Sequence, residues 1–94
     1  MSDIKFEWNK EKARANKRKH GISFNEALFV FADPLSITRP DPDHSETESR
    51  FITIGNSQKN QLLMVCHADR EDRIRIISAR KVTKNEKRKY EEKS

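Results

Sequence analysis

Arg70 and Arg80 are the residues whose type and spacing best suit chemistry. Arg80 closes residues 74–80, Ile-Arg-Ile-Ile-Ser-Ala-Arg, a run that reads as a strand with a buried apolar centre ending in a cation. Residues 81–86 then open a very basic helix. A strand holds a guanidinium still, and a fixed guanidinium grips phosphate at two points and stabilises a phosphoryl transition state. These residues point to a small phosphate-seeking domain acting on RNA. A second reading stays open for each arginine. Arg70 can be a solvated turn residue, and Arg80 the partner of a carboxylate at the start of the next helix. The strand ending at Arg80 runs away from the Arg70 turn, so the sequence does not place both in one site. Arg73 and Arg75 alternate with Ile74 and Ile76, so they face away from the core and can extend a phosphate track.

Other side chains carry chemistry in one reading and structure in another. His20, in Lys19-His20-Gly21, titrates near neutrality and suits a general acid or base. A cation at that helix end also favours the macrodipole. His67 ends an apolar strand and reads as a satisfied, half-buried histidine. Asp41, Asp43, His44, Glu46 and Glu48 form an acidic cluster without a recognised metal-loop spacing, so a solvated loop is expected and no metal. Glu48 or His44 could serve instead as base for a ribose 2′-hydroxyl. Trp8 and Tyr90 can be core residues or stack on bases. Lys81 belongs to a basic stretch that either contacts RNA or is simply solvated. Cys66 lies in an apolar run and reads as a buried, inert thiol.

The elements that position these residues follow from periodicity. Ile4, Phe6 and Trp8 alternate on a short strand. Asn9 caps a helix that Gly21 stops. Ser23 and Glu26 form a capping box before a helix over residues 25–31, with Phe24, Ala27, Leu28 and Phe31 as its buried stripe. Residues 35–39 suit a short edge strand. Strands over residues 50–55, 61–68 and 73–79 are joined by short turns, which favours an antiparallel meander. Thr83 and Glu86 form a second capping box for a terminal helix containing Tyr90. The expected fold is α+β, a small antiparallel sheet with two N-terminal helices and a C-terminal helix. The helices cover one face and leave the other open.

The chain has 94 residues, which bounds it to one domain over residues 1–94. Charged residues are 37% and hydrophobic ones 33%, but the apolar residues fall in periodic blocks, which argues for a folded domain with a busy surface. Lys and Arg number 20 against 15 acids, a net charge of +5 that attracts polyanions. The single cysteine excludes an internal disulfide. Neither a signal peptide nor an apolar run of ~20 residues is present, so a soluble cytoplasmic protein without membrane contact is expected.

Several blocks together resemble the BrnT family, the toxins of bacterial type II toxin–antitoxin modules. They begin with Phe6-Glu7-Trp8-Asn9, Lys12-Ala13, Asn16 and Lys19-His20-Gly21-Ile22-Ser23-Phe24. Glu26-Ala27, Phe31-Ala32-Asp33-Pro34, Asp43-His44-Ser45, Glu48-Ser49-Arg50 and Ile54-Gly55 follow. The series ends in Arg75-Ile76-Ile77-Ser78-Ala79-Arg80-Lys81, Glu86 and Tyr90. The resemblance covers nearly the whole chain. It implies a RelE-like fold and a metal-independent RNA endonuclease that arrests translation, with no cofactor. It also implies an mRNA substrate and a ribbon-helix-helix antitoxin that neutralises the toxin, operator DNA being reached only through their complex. By the same similarity, Arg70 and Arg80 would stabilise phosphate on the open face. From side-chain chemistry rather than similarity, His20 is expected to act as acid or base. Lys19, Trp8, Lys81, Tyr90 and Glu48 would contact RNA. A non-catalytic nucleic-acid-binding module and a protein-interaction domain are the rival readings.

Overall fold

The computed structural model describes residues 4–42 and 49–93. The chain runs β1 (Lys5–Glu7), α1 (Lys10–His20), α2 (Phe24–Leu28), a 3-10 turn (Phe29–Ala32) and β2 (Ile37–Pro40). It continues through β3 (Arg50–Asn56), β4 (Leu62–Arg70) and β5 (Arg73–Lys81) to α3 (Lys84–Lys93). The five strands form one sheet in the order β1-β5-β4-β3-β2.

The meander over β3, β4 and β5 is antiparallel as expected, but β1 lies parallel to β5, so the sheet is mixed. Hairpin turns fix the direction of sequential neighbours; nothing local fixes that of a strand returning from the other end of the chain. Phe6, paired with Ile74 and packed on the Phe31 ring at 5.1 Å, anchors β1 in that position.

α1 begins where Asn9 accepts from the Lys12 N–H at 3.0 Å and ends at Gly21, whose φ of 74° suits glycine. α2 is shorter than expected, because the chain tightens into the 3-10 turn after Leu28. That tightening buries Val30 against Gly55, where an added Cβ would come within 3.1 Å of Val30 and 2.8 Å of Ser36. Ser23 caps the Glu26 N–H, yet the Glu26 carboxylate turns away and accepts from Ser57 Oγ at 2.8 Å. The expected capping box is therefore half made, its acid used to tie α2 to the β3–β4 turn.

Ile22, Phe24, Ala27 and Val30 pack against Leu63, Val65, Ile76 and Ala79 to form the core between helices and sheet. Asn16 joins the layers. Its carboxamide accepts from the Ala79 N–H at 3.1 Å and donates to the Ala79 and Ile22 carbonyls at 2.8 and 3.0 Å. β1 stops opposite Arg75, so this side chain satisfies the sheet edge where the strand has ended.

α3 departs from expectation. It does not join the helix layer but lies at the opposite face, where Glu86 and Tyr90 meet Ile37, Ile54 and Met64. Arg80 faces that side, level with Met64, and draws the Glu86 carboxylate toward it.

Candidate nucleic-acid interface

The strand register sorts the face away from the core into rows. Ile37, Ile54, Met64 and Arg80 lie side by side, and the next row is Arg39, Ile52, Cys66 and Ser78. Arg50, Ala68, Arg75 and Glu7 form a third row, and Arg70, Arg73 and Lys5 a fourth. An apolar floor flanked by Arg39 and Arg80 thus gives way to an arginine-rich end. Arg73 is tied to Glu7 at 3.1 Å. Cys66 sits half-buried on this face rather than in the core, because no helix covers its row.

Arg80 is held by four hydrogen bonds. Nη1 donates to Glu86 Oε1 at 2.9 Å and to the Lys81 carbonyl at 3.1 Å. Nη2 donates to Glu86 Oε2 at 2.9 Å and to Met64 Sδ at 3.2 Å. The Arg80 pair, aided by the Thr83 N–H, pulls the Glu86 carboxyl down to about 2, and Glu86 in turn raises the guanidinium further. Both halves of the Thr83 capping box are made, Glu86 N–H to Thr83 Oγ1 at 3.2 Å and Thr83 N–H to Glu86 Oε1 at 2.8 Å. The second reading of Arg80, as partner of a carboxylate at the helix start, is thus realised in the resting protein.

Between α3 and the sheet lies a cleft of about 210 Å³. Its floor is Ile37, Ile54 and Met64; Tyr90 and Glu86 form one wall, and Arg39 and Lys89 reach its rim. Tyr90 is fixed by donating to the Leu35 carbonyl at 2.8 Å, and partial burial raises its phenol above the usual value. Arg39 and Lys89 were not singled out from sequence as site residues. The one available signal was the edge-strand reading of residues 35–39, and it said nothing of what Arg39 faces.

The remaining candidates are scattered. Arg70 lies six residues beyond Met64 on β4, about 20 Å from the Arg80 row at ~3.3 Å per residue, so the two cannot hold one phosphate. His20 and Lys19 end α1, on the helix layer, with the sheet between them and the cleft. Trp8 packs edge-on against Phe24 at 5.9 Å and borders a shallow depression with Arg14 and Lys17 on the helix side. Lys81 pairs with Leu63 and so faces the helix side too. His44 and Glu48 lie outside the described residues.

His67 is buried in a hydrogen-bond chain: Nδ1 to Asp69 Oδ1 at 2.6 Å, Nε2 to Thr53 Oγ1 at 2.7 Å, and Thr53 to Thr38 Oγ1 at 2.7 Å. Among the described residues no three His, Cys, Asp or Glu side chains are grouped to hold a metal. No helix there is long and apolar enough to cross a membrane.

No curated protein sequence matches the chain. Its fold is similar to the crystal structure of the Brucella abortus ribonuclease toxin BrnT, with a TM-score of 0.68 at 20% identity, over 86% of this chain and 99% of that one. A family model described as the ribonuclease toxin BrnT of type II toxin–antitoxin systems matches residues 8–86. On that match, the chain belongs to the BrnT family of ribonuclease toxins.

Proposed function

We propose that this protein is an endoribonuclease toxin that cuts mRNA in the cytoplasm by 2′-hydroxyl attack, without a metal ion, in a RelE-like manner. A ribbon-helix-helix antitoxin would neutralise it, and operator DNA would be reached only through that complex. The observation that carries the reading is the Arg80–Glu86 pair, whose carboxylate lines a cleft that Arg39 and Lys89 also line.

A phosphate arriving at Arg80 competes with Glu86 for the same donors. Once displaced, the carboxylate regains ordinary basicity beside the bound nucleotide. It then takes the proton of the ribose 2′-hydroxyl, whose oxygen attacks the adjacent phosphorus. Arg80 stabilises the charge growing on the phosphate oxygens. The bond to the 5′-oxygen breaks, and that oxygen takes a proton from water at the open rim. The products are a 2′,3′-cyclic phosphate and a 5′-hydroxyl. Glu86 thus replaces His20 as the proposed base, because it lies on the same face as Arg80. Arg70, Arg73 and Arg75 guide the RNA strand by charge.

The test is incubation of the protein with RNA in EDTA, followed by mapping of the cut ends. Ends bearing 5′-hydroxyls, lost in Arg80→Ala, support the proposal. Intact RNA, bound in a steeply salt-dependent way, would favour the non-catalytic binding module instead.

A further inference from the structure

The cleft under α3 has the features of a base-recognition site. Its volume of about 210 Å³ lies below the ~300–1,000 Å³ of sites for drug-sized ligands, so it suits one planar ring system rather than a whole nucleotide. The floor of Ile54 and Met64 offers an apolar surface to a ring face, and Tyr90 offers an aromatic wall held in place through Leu35. Stacking on that wall would accept any base. The polar groups at the rim are more selective: a guanidinium, an ammonium and a carboxylate.

We propose that this cleft binds a guanine base of the RNA substrate, with Arg39 as the specificity-determining residue. The proposal rests on the ribonuclease reading above and adds a sequence preference to it. Guanine presents O6 and N7 side by side, two acceptors that match a guanidinium fork. Adenine sets an amino donor beside N7, opposing the donors of Arg39 and Lys89. Cytosine and uracil lack the second ring and its N7. Arg39 stands on the edge strand with its side chain exposed, free of the packing constraints that hold Arg80.

The experiment measures fluorescence anisotropy of four labelled tetradeoxynucleotides, one all thymine and three with a single position replaced by guanine, adenine or cytosine. These lack the 2′-hydroxyl, so binding is read apart from cleavage. The guanine oligonucleotide should bind roughly tenfold tighter than the other three. Arg39→Lys, which keeps the charge and loses the fork, should remove that preference while retaining affinity for thymine. Tyr90→Ala should weaken all four by about tenfold, and Tyr90→Phe should keep the guanine preference. Thermal melts confirm that each variant folds. Equal affinity for the four oligonucleotides, or a guanine preference unmoved by Arg39→Lys, overturns the subsite. RNA cleavage by the wild type is scored separately. Cleavage without base discrimination removes the subsite alone, and guanine discrimination without cleavage removes the ribonuclease reading alone.

Discussion

Arg80 and Glu86 meet in a two-point ion pair, both N–H···O distances 2.9 Å, that ties the last strand to the first turn of α3. The pair serves stability and, in the proposed mechanism, is the contact that RNA must break. Glu86 has a folded value of about 2 against an ordinary 4.5, so the unfolded chain takes up its proton first on acidification. The contribution is complete above pH 4.5 and is lost as pH falls through about 2. Arg80 is 37% exposed and Glu86 27%, so solvent screening reduces it to about 1 kcal/mol. Urea midpoints from pH 6 to 2 should show this loss in the wild type and lack it in Glu86→Gln. The same variant should bind RNA several-fold more tightly, its guanidinium released and one negative charge removed, yet cleave it more slowly.

Arg70 and Arg80 should behave differently. Arg80 is bonded to Glu86 and Met64, which line the cleft, so Arg80→Ala should lower the cleavage rate at saturating RNA by about 10²–10³-fold and also weaken RNA binding. Arg70 lies about 20 Å away along β4, so Arg70→Ala should leave the rate at saturating RNA nearly unchanged. It should instead reduce the salt slope of binding by ~1. Single-turnover cleavage and binding across a salt series separate the two. Equal rate losses for both variants would contradict this division.

Asn16 supplies a further stability prediction. Its carboxamide makes three buried hydrogen bonds to backbone groups of Ile22 and Ala79. Asn16→Ala would remove the partner of one N–H and two carbonyls in the interior, at about 2–4 kcal/mol. Asn16→Asp should cost at least as much, since a carboxylate would then face two carbonyl oxygens. Chemical denaturation of both variants measures these losses.

Local signals were legible in the sequence and long-range ones were not. Asn9, Gly21 and Thr83 mark helix ends through their own side chains or backbone freedom, and the helices start and stop there. The alternation of Arg73 and Arg75 with isoleucines placed those cations on the open face. The parallel pairing of Phe6 with Ile74 depends on a partner 68 residues away, and no local spacing encodes its direction. The position of α3 was hidden for a similar reason. A capping box announces that a helix begins, whereas its packing side is set by the Arg80–Glu86 and Tyr90–Leu35 contacts. Arg39 carries no local signal, because it borders the cleft only once α3 folds back over β2. Glu26 shows how a tertiary contact overrides a local motif, its carboxylate leaving Ser23 for Ser57.

His67 gives a second pH dependence, in a window separate from that of Glu86. It is 2% exposed, between the Phe31 ring at 4.9 Å and the Phe51 ring at 6.1 Å. The neutral ring donates from Nδ1 to the Asp69 carboxyl oxygen, and Nε2 accepts from Thr53, which accepts from Thr38. Burial lowers the His67 value below the ordinary 6.5, and Asp69 offsets only part of that. The unfolded chain therefore binds a proton that the folded one resists. The stabilisation is complete above pH 6.5 and declines as pH falls from there toward the folded value. Urea midpoints between pH 7.5 and 5 should fall in the wild type. His67→Gln should be less stable by about 1–3 kcal/mol at pH 7.5, since it loosens the chain of hydroxyls joining β2, β3 and β4. Its midpoint should stay nearly flat over the same range, and a slope as steep as the wild type's would place the titrating group elsewhere.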